Sequence, residues 1–422
     1  MTDRRGIARR QFLAAAVAIG GSAALSACLG REAPTIPRGP TDRSDYPARQ
    51  HAWNDVLPRD DHGNVKPPRH RVILSLELPG TAPPTATDRE TVAAALDGVE
   101  RAYARSGDGL LLTLSYGPTY FDRYPDALPE GLDLPRPGPL SPFEDPARDE
   151  PDAVLHLASN HASAVLGAEQ ALRGTEPTVN GVDQPDAALT DVFTVADRRT
   201  GFVGAGLPAD HDDVDGVPDG AVDDDAPLYM GFKSGFEKNQ AGEDRVTIPA
   251  GPFAGGTTQH LSTLRLDLEQ WYEQDDRWQR EAKMFCPHHA ETNAVEGVGD
   301  NLGTDSGVDG CRDTDRAARE MGVVGHTQKT AAVRRDDEPL LLRRDFNSTD
   351  DGHAGLHFLS LQASIADFVT TREAMNGTDV AADSAVGERT NNGILQYVQT
   401  LRRGNFLVPP RQHRSLPTPR PA

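Results

Sequence analysis

The order of the predicted secondary-structure elements constrains the fold of this chain more than any single motif. Alternation of apolar and polar residues predicts strands at residues 71–78, 110–115, 153–158 and 192–196. An apolar period near 3.6 residues predicts a helix after the first strand and another at residues 161–172. Strand, helix, strand, strand, helix, strand is the ferredoxin-like order.

The second half of the chain repeats this order with longer insertions. Its predicted strands are residues 257–266 and 355–362, and its predicted helices are residues 267–284, 365–375 and 392–402. We therefore expect an α+β fold of the dimeric α/β-barrel type. Two ferredoxin-like halves, residues 69–200 and 201–412, would pack sheet to sheet, with a pocket between helices and sheet.

The N-terminal residues have the pattern of a targeting segment. Arg9-Arg10 precedes an apolar stretch rich in Ala and Gly, and Leu25-Ser26-Ala27-Cys28 is typical of a lipobox, in which Cys28 is lipidated. The alternative is an ordinary signal peptide with a chance cysteine. We expect residues 1–27 to be a twin-arginine lipoprotein signal, residues 28–68 a flexible tether, and residues 413–422 a disordered tail. This predicts export and a lipid anchor at the cell surface.

The net charge of −21 argues against two classes of partner, nucleic acid and anionic membrane surfaces, because the long-range field would repel both. Lysine occurs only five times in the chain. A surface rich in Asp and poor in Lys favours adaptation to high salt, where counterions screen the self-repulsion.

Two cysteines remain if Cys28 carries lipid. Cys286 and Cys311 are candidates for a disulfide outside the cell, or for buried thiols. Cys286-Pro287-His288-His289 also has the residue types that bind soft metals, but its spacing matches no standard zinc pattern.

Several segments in the right order resemble the dye-decolorizing peroxidase family, whose members are haem proteins built from two ferredoxin-like halves. Residues 112–122 resemble its first-half strand and Gly-Pro-x-x-Phe-Asp turn, and residues 153–159 its next core strand. Gly231-Phe232-Lys233-Ser234-Gly235 lies at its Gly-x-x-Asp-Gly signature. His326 and Arg343 fall at its proximal histidine and distal arginine. The resemblance covers residues 70–410.

The resemblance implies one haem b per chain, with Nε2 of His326 as the iron ligand and Arg343 as the distal catalytic residue. Gly231, Phe232 and Gly235 would border the haem. Arg265 is a candidate contact for the haem propionates, because arginine binds carboxylates bidentately. Arg344 would pair either with a surface acid or with a propionate. The fallback iron ligands are His260, His288 and His289.

Ser234 departs from the family, which has an aspartate at that position. In the family this carboxylate moves a proton between the oxygens of peroxide, whereas the pKa of a serine hydroxyl is too high for a general base. Glu237, three residues further on, is a candidate substitute.

Three functions are consistent with this sequence. The first is a haem peroxidase that uses hydrogen peroxide to oxidise an organic reductant at the cell surface, with Ser234 slowing the reaction or shifting its pH optimum. The second is a haem-binding lipoprotein with little or no turnover. The third is a scaffold lipoprotein that binds no haem. A Soret band that depends on His326 would separate the third function from the other two.

Overall fold

The computed structural model describes residues 35–307, 311, 313–381 and 385–421. The twin-arginine segment and Cys28 lie outside these residues, so export and lipidation stay predictions. Within the described ranges, no helix has both the length and the apolar character that crossing a bilayer requires.

The first half contains the six elements that its sequence pattern predicts. They are β1 (His70–Glu77), α1 (Ala86–Ala102), β2 (Leu111–Tyr116), β3 (Ala153–Ser159), α2 (Ala162–Leu172) and β4 (Thr194–Phe202). Helix α1 begins at a capping box, in which the Thr85 hydroxyl accepts from the Asp88 amide and the Asp88 carboxylate accepts from the Thr85 amide. The hydrogen-bonded strand order β4-β1-β3-β2 is that of a ferredoxin-like half.

The second half repeats this arrangement around a long helical insertion. Its main elements are β5 (Thr257–Leu266), α3 (Arg277–Met284), α4 (Pro287–Thr292), α5 (Thr314–Met321), α6 (His326–Ala331), β6 (Leu342–Arg343), β7 (Phe346–Ser348), β8 (Gly355–Gln362), α7 (Ile365–Asn376) and β9 (Val398–Val408). The order β7-β8-β5-β9 matches that of the first half, and β6 also pairs with β8. The predicted α+β fold of two ferredoxin-like halves is therefore confirmed.

Two seams close the halves into an eight-stranded antiparallel barrel. Strand β9 pairs with β2 at Leu407 and Tyr116, and β7 pairs with β4 at Asn347 and Phe202. Each four-stranded sheet alone would leave two edges with unpaired backbone groups, and the seams join those edges.

Strand alternation decides which side chains fill the barrel. Ile73 packs with Leu261, Leu359 and Phe406 of the second half in one apolar cluster. Its neighbours Val72 and Leu74 belong to a different cluster, with residues of α1 and α2. Successive residues of a strand point to opposite faces, so one face fills the barrel and the other meets the helices.

Two helix predictions are corrected by the structure. Most of residues 392–402 is not helical, because from Val398 onward the chain pairs along the length of β5 and this tertiary pairing overrides local helix propensity. The predicted helix at residues 267–284 is interrupted: the Asp276 carboxylate accepts from the Gln279 amide and starts α3 anew.

Two segments predicted to be unstructured are packed instead. In the predicted tether, His51 and Trp53 are buried. In the predicted tail, Leu416 is completely buried, its amide donates to the Tyr116 hydroxyl, and that hydroxyl donates to the Arg414 carbonyl. Both segments add apolar and hydrogen-bonding groups to the barrel. Their local composition does not reveal this packing.

Leu416→Ala tests whether the C-terminal segment is part of the core. We expect the free energy of unfolding to fall by about 2–5 kcal/mol, the usual cost of truncating a buried leucine. Leu401→Ala is the matched control, because Leu401 lies on β9 with 37% of its surface exposed, and its change should stay within about 0.5 kcal/mol. Denaturant titration of both variants measures the difference. Equal stability of the two would mean that the tail does not pack in solution.

Candidate functional site

A cavity lies between the outer face of the second-half sheet and the helices that cover it. Its volume is about 190 Å³, and it opens toward solvent. We call it the inner cavity. Its apolar wall consists mainly of Leu, Met, Phe and Ile side chains, including Met230, Phe232, Leu264, Phe285, Leu356, Phe358, Phe368, Met375 and Ile394.

His326 borders this cavity at the first residue of α6. A Cβ on the preceding Gly325 would lie 1.8 Å from the Phe285 carbonyl oxygen, and one on Gly393 would lie 3.1 Å from the His326 Cα. The first approach excludes any Cβ, and the second leaves little room for one. They fix the position at which the imidazole meets the cavity.

Helix α6 is held from both sides by buried polar contacts. The Lys329 ammonium donates to the Met375 carbonyl at 2.5 Å and to the Asn392 side-chain oxygen at 2.5 Å. The Thr327 hydroxyl donates to the Met284 carbonyl at 2.8 Å. These contacts fix the short helix α6 and so restrict the position of His326, its first residue.

The electrostatic environment keeps His326 neutral. Burial lowers its pKa to about 3, and the positive charges of Arg343, Lys329 and Arg372 contribute to this lowering. The residue retains some accessible surface where it borders the cavity. A neutral imidazole facing an apolar cavity is the form that binds a metal ion through nitrogen.

Arg343 reaches the same cavity from β6. Pairing of Leu342 with Leu361 and of Arg343 with Ser360 sets the register of this short strand. The Arg343 amide also donates to the Gln240 side-chain oxygen at 2.6 Å. Its guanidinium makes no hydrogen bond or ion pair with another described residue, so the charge remains available to a ligand.

The residues around Arg343 alternate between the two faces of the sheet. Leu341, Arg343, Asp345 and Asn347 all line the inner cavity. The intervening Leu342 and Phe346 belong to the cluster that fills the barrel. The period of two residues places every second side chain of this segment in the candidate site.

Arg344 consequently points away from the inner cavity. It donates to the Glu243 carboxylate at 2.9 Å and to the His51 carbonyl at 2.6 Å, and its guanidinium lies 4.1 Å from the centre of the Trp53 ring. The structure therefore places Arg344 in a buried ion pair, which corrects its assignment as a propionate contact.

The loop at residues 231–235 contributes Phe232 and Ser234 to the inner cavity. Gly231 and Gly235 have φ values of 82° and 81°, a region that favours glycine, and give the loop its two bends. Gly231 supports this loop without lining the inner cavity. Gly235 borders a second, neighbouring cavity, which we call the outer cavity and which is also lined by Asp60, Arg69 and Arg71. Ser234 therefore lines the inner cavity, and its side chain carries a hydroxyl in place of the carboxylate of the family signature.

Other predicted residues lie elsewhere. Arg265 is exposed and donates to a His353 nitrogen at 3.3 Å outside the inner cavity, so its predicted propionate contact is wrong for this structure. His260 is buried between Asn405 and Ser262, which removes it as a fallback ligand. Glu237 is exposed and lines only the outer cavity.

Cys286 and Cys311 form a disulfide, which is the first of the alternatives predicted for them. The Nδ1 atom of His289 lies 2.9 Å from the sulfur of Cys286 and 3.2 Å from that of Cys311. His289 therefore packs against the disulfide, and His288 is exposed. Neither histidine borders the inner cavity.

Asp345 belongs to the site although the sequence pattern did not bring it into consideration. It is partly buried, and its Oδ1 atom is enclosed without a hydrogen-bond partner among the described residues. Burial raises its pKa to about 6, although Arg343 and the Leu359 backbone oppose this rise. The sequence feature that could have identified it is the period of two residues, which places residue 345 on the same face as Arg343.

A second missed group lies at another part of the cavity wall. Arg372 and Arg403 both pair with the single Glu144 carboxylate, and the Arg403 contact is 2.8 Å. Burial alone would raise the pKa of Glu144, but the two arginines outweigh it and lower the pKa. The Nε atom of Arg403 is buried without a partner in the described part of the chain. The two guanidinium groups carry one positive charge more than the Glu144 carboxylate neutralises, which favours binding of an anionic ligand.

Solved structures similar to this chain include DyP-type peroxidases. An encapsulated DyP-type peroxidase from Mycobacterium smegmatis matches with a TM-score of 0.56 at 15% identity, over 87% of this chain and 100% of the other. A dye-decolorizing protein from V. cholerae matches with a TM-score of 0.52 at 13% identity, over 85% and 97%. A variant of DypB from Rhodococcus jostii RHA1, solved in complex with heme, matches with a TM-score of 0.54 at 15% identity, over 87% and 98%. These likenesses define the fold class.

The chain itself belongs to a family of unknown function (DUF7405), whose sequence model matches residues 68–410. No curated protein matches the sequence.

Asp345→Asn tests the environment of the carboxyl group in the haem-free protein. A carboxyl whose pKa rises to about 6 on folding stabilises the fold at low pH, and that stabilisation is lost as pH rises through 6. We expect the variant to exceed the wild type at pH 8 by on the order of 1–3 kcal/mol in the free energy of unfolding. The two proteins should have similar stability at pH 4. Denaturant titrations at both pH values measure the difference, and a constant difference would contradict the raised pKa.

Proposed function

We propose that this protein is a haem peroxidase that uses hydrogen peroxide to oxidise an organic reductant. The observation that supports the proposal most strongly is the neutral imidazole of His326 at an apolar cavity that also receives Arg343 and Asp345. The barrel shared with dye-decolorizing peroxidases supports the same class at the level of the fold.

The residues of the inner cavity fit a haem group in three respects. Its wall is mostly apolar, as a porphyrin face requires. His326 supplies an uncharged nitrogen for the iron. Arg372 and Arg403, with one partner acid and one unpaired donor atom, are the groups that would hold the propionates.

When bound, haem supplies the redox centre at which peroxide is reduced and from which the organic substrate is oxidised. The chain binds and orients that centre through His326. Arg343 provides a positive charge that attracts the negative charge developing on a departing oxygen. Apolar side chains such as Phe232, Phe358 and Phe368 exclude bulk water and strengthen these electrostatic interactions.

A second candidate function is haem binding without turnover, in haem or iron handling. Ser234 supports it, because the signature carboxylate is missing there. We further propose haem b as the cofactor and a lipid-anchored location at the cell surface. The twin-arginine pair Arg9-Arg10 and Cys28 support that location.

His326→Ala tests the iron ligand. We expect wild-type protein reconstituted with haem to show a Soret band, and the variant to lose affinity by about 100-fold or more because the nitrogen ligand is gone. Added imidazole should restore the spectrum of the variant. His288→Ala is the matched control, since His288 is exposed and lies outside the inner cavity.

Peroxide-dependent oxidation of a dye by the same preparation separates the two candidate functions. Turnover that disappears in His326→Ala supports the peroxidase. A normal Soret band without turnover supports the haem carrier. Absence of a Soret band in the wild type would refute both.

Arg372→Gln tests the propionate contact. Losing a charge-assisted hydrogen bond costs about 1.5–3 kcal/mol, so haem affinity should fall by about 10- to 100-fold. With haem dimethyl ester, which lacks the carboxylates, the variant and the wild type should bind equally well. Spectroscopic titration of the wild type and the variant, each with haem and with haem dimethyl ester, measures the four affinities. An equal loss with the ester would mean that the substitution acts by disturbing the cavity wall.

A further inference from the structure

We propose that Asp345 is the group that takes up and releases the proton of hydrogen peroxide in this chain, in place of the carboxylate missing at Ser234. The inference rests on the proposed haem function. It assigns the proton-transfer role to the segment between β6 and β7 and not to the loop at residues 231–235.

The first observation is the position of the carboxyl group between two cavities. The outer cavity is larger, with a volume of about 1100 Å³; it lies beside the inner one and opens to solvent. Both cavities share one wall, formed by Leu228, Lys233, Ser234, Arg343 and Asp345. Asp345 therefore borders both cavities, and a small polar molecule in the solvent-open outer cavity meets its side chain.

The second observation is the unsatisfied oxygen. The Oδ1 atom of Asp345 is enclosed and has no hydrogen-bond partner among the described residues. A buried polar atom without a partner is unfavourable, and in native proteins it marks a functional group or a bound molecule. Hydrogen peroxide or water at this point would supply the missing hydrogen bond.

The third observation is the set of charges around the carboxyl group. Arg343 lies on the same face of the same segment, and the positive charges of Arg343 and of Arg71 in β1 both act on the carboxyl group. Lys233 borders the shared wall from the signature loop, whereas Arg344 is turned away to Glu243. Lys233 is paired with Asp60. Arg343 and Arg71 limit the effect of burial, so that the carboxyl group can exchange a proton near neutral pH.

The proposed step is a single proton transfer. One O–H bond of hydrogen peroxide breaks, its proton moves to Oδ1, and the electron pair stays on the oxygen. The products are a hydroperoxide anion, whose charge faces the free guanidinium of Arg343, and a neutral carboxyl group. The reverse transfer returns the proton to an oxygen of the same molecule, so the carboxylate is regenerated.

Cyanide binding tests this step without turnover. Hydrogen cyanide must lose a proton when it binds ferric haem, whereas carbon monoxide binds ferrous haem with no proton transfer. In Asp345→Asn holoprotein we expect the cyanide association rate to fall by about 100-fold, a typical contribution of a positioned base. The Soret band and the carbon monoxide rate should remain within about twofold of the wild-type values.

Two further variants sharpen the result. Glu237→Gln is the matched control, because its carboxylate is exposed and lines only the outer cavity; its cyanide rate should equal that of the wild type. Ser234→Asp in the Asp345→Asn background returns a carboxylate to the same cavity from the loop, and should recover part of the lost rate.

The outcomes distinguish this inference from the proposed function. A wild type without a Soret band would overturn both. A normal Soret band with an unchanged cyanide rate in Asp345→Asn would overturn the inference alone. An equal slowing of cyanide and carbon monoxide would also overturn it, because access rather than proton transfer would then be affected.

Discussion

Closure of the barrel is the constraint on which the rest of the structure depends. Two ferredoxin-like sheets meet along the β2–β9 and β4–β7 seams, and neither seam exists until residues more than 140 positions apart come together. Once the seams form, every strand has a buried interior face. The opposite face of the second half must then be covered by helices, and the inner cavity is the space that those helices leave.

The segment at residues 341–347 shows how closely fold and site are linked. Its even-numbered residues include Leu342 and Phe346 in the barrel core, and its odd-numbered residues include Arg343 and Asp345 in the cavity. Burial of the apolar residues thus fixes the strand register, and this register places the polar residues in the cavity. A shift of one residue would bury the arginine and the aspartate in the barrel, at a prohibitive desolvation cost.

The inner cavity combines an apolar wall with a few polar groups whose hydrogen bonds are incomplete. Arg343, Asp345 and Arg403 each retain charge or a donor or acceptor that no described residue satisfies. Arg344, by contrast, is paired with Glu243 on the other face of the same segment. The combination of an apolar wall with incompletely paired polar groups supports a ligand with both polar and apolar surfaces.

The sequence by itself determined the two ferredoxin-like halves and brought His326, Arg343, Phe232 and Ser234 into consideration. Apolar periodicity and element order are local properties, and they suffice for the two halves. The four site residues are implied by the resemblance of their segments to the dye-decolorizing peroxidase family. The structure alone decided that residue 345 belongs to the site, that Arg265 does not, and that residues 398–402 form a strand. Those outcomes depend on strand pairing and on the packing of distant segments, such as His51–Trp53 and the C-terminal residues against the barrel. Desolvation and pairing energies act between groups that are far apart in the chain, and for that reason local pattern does not specify them.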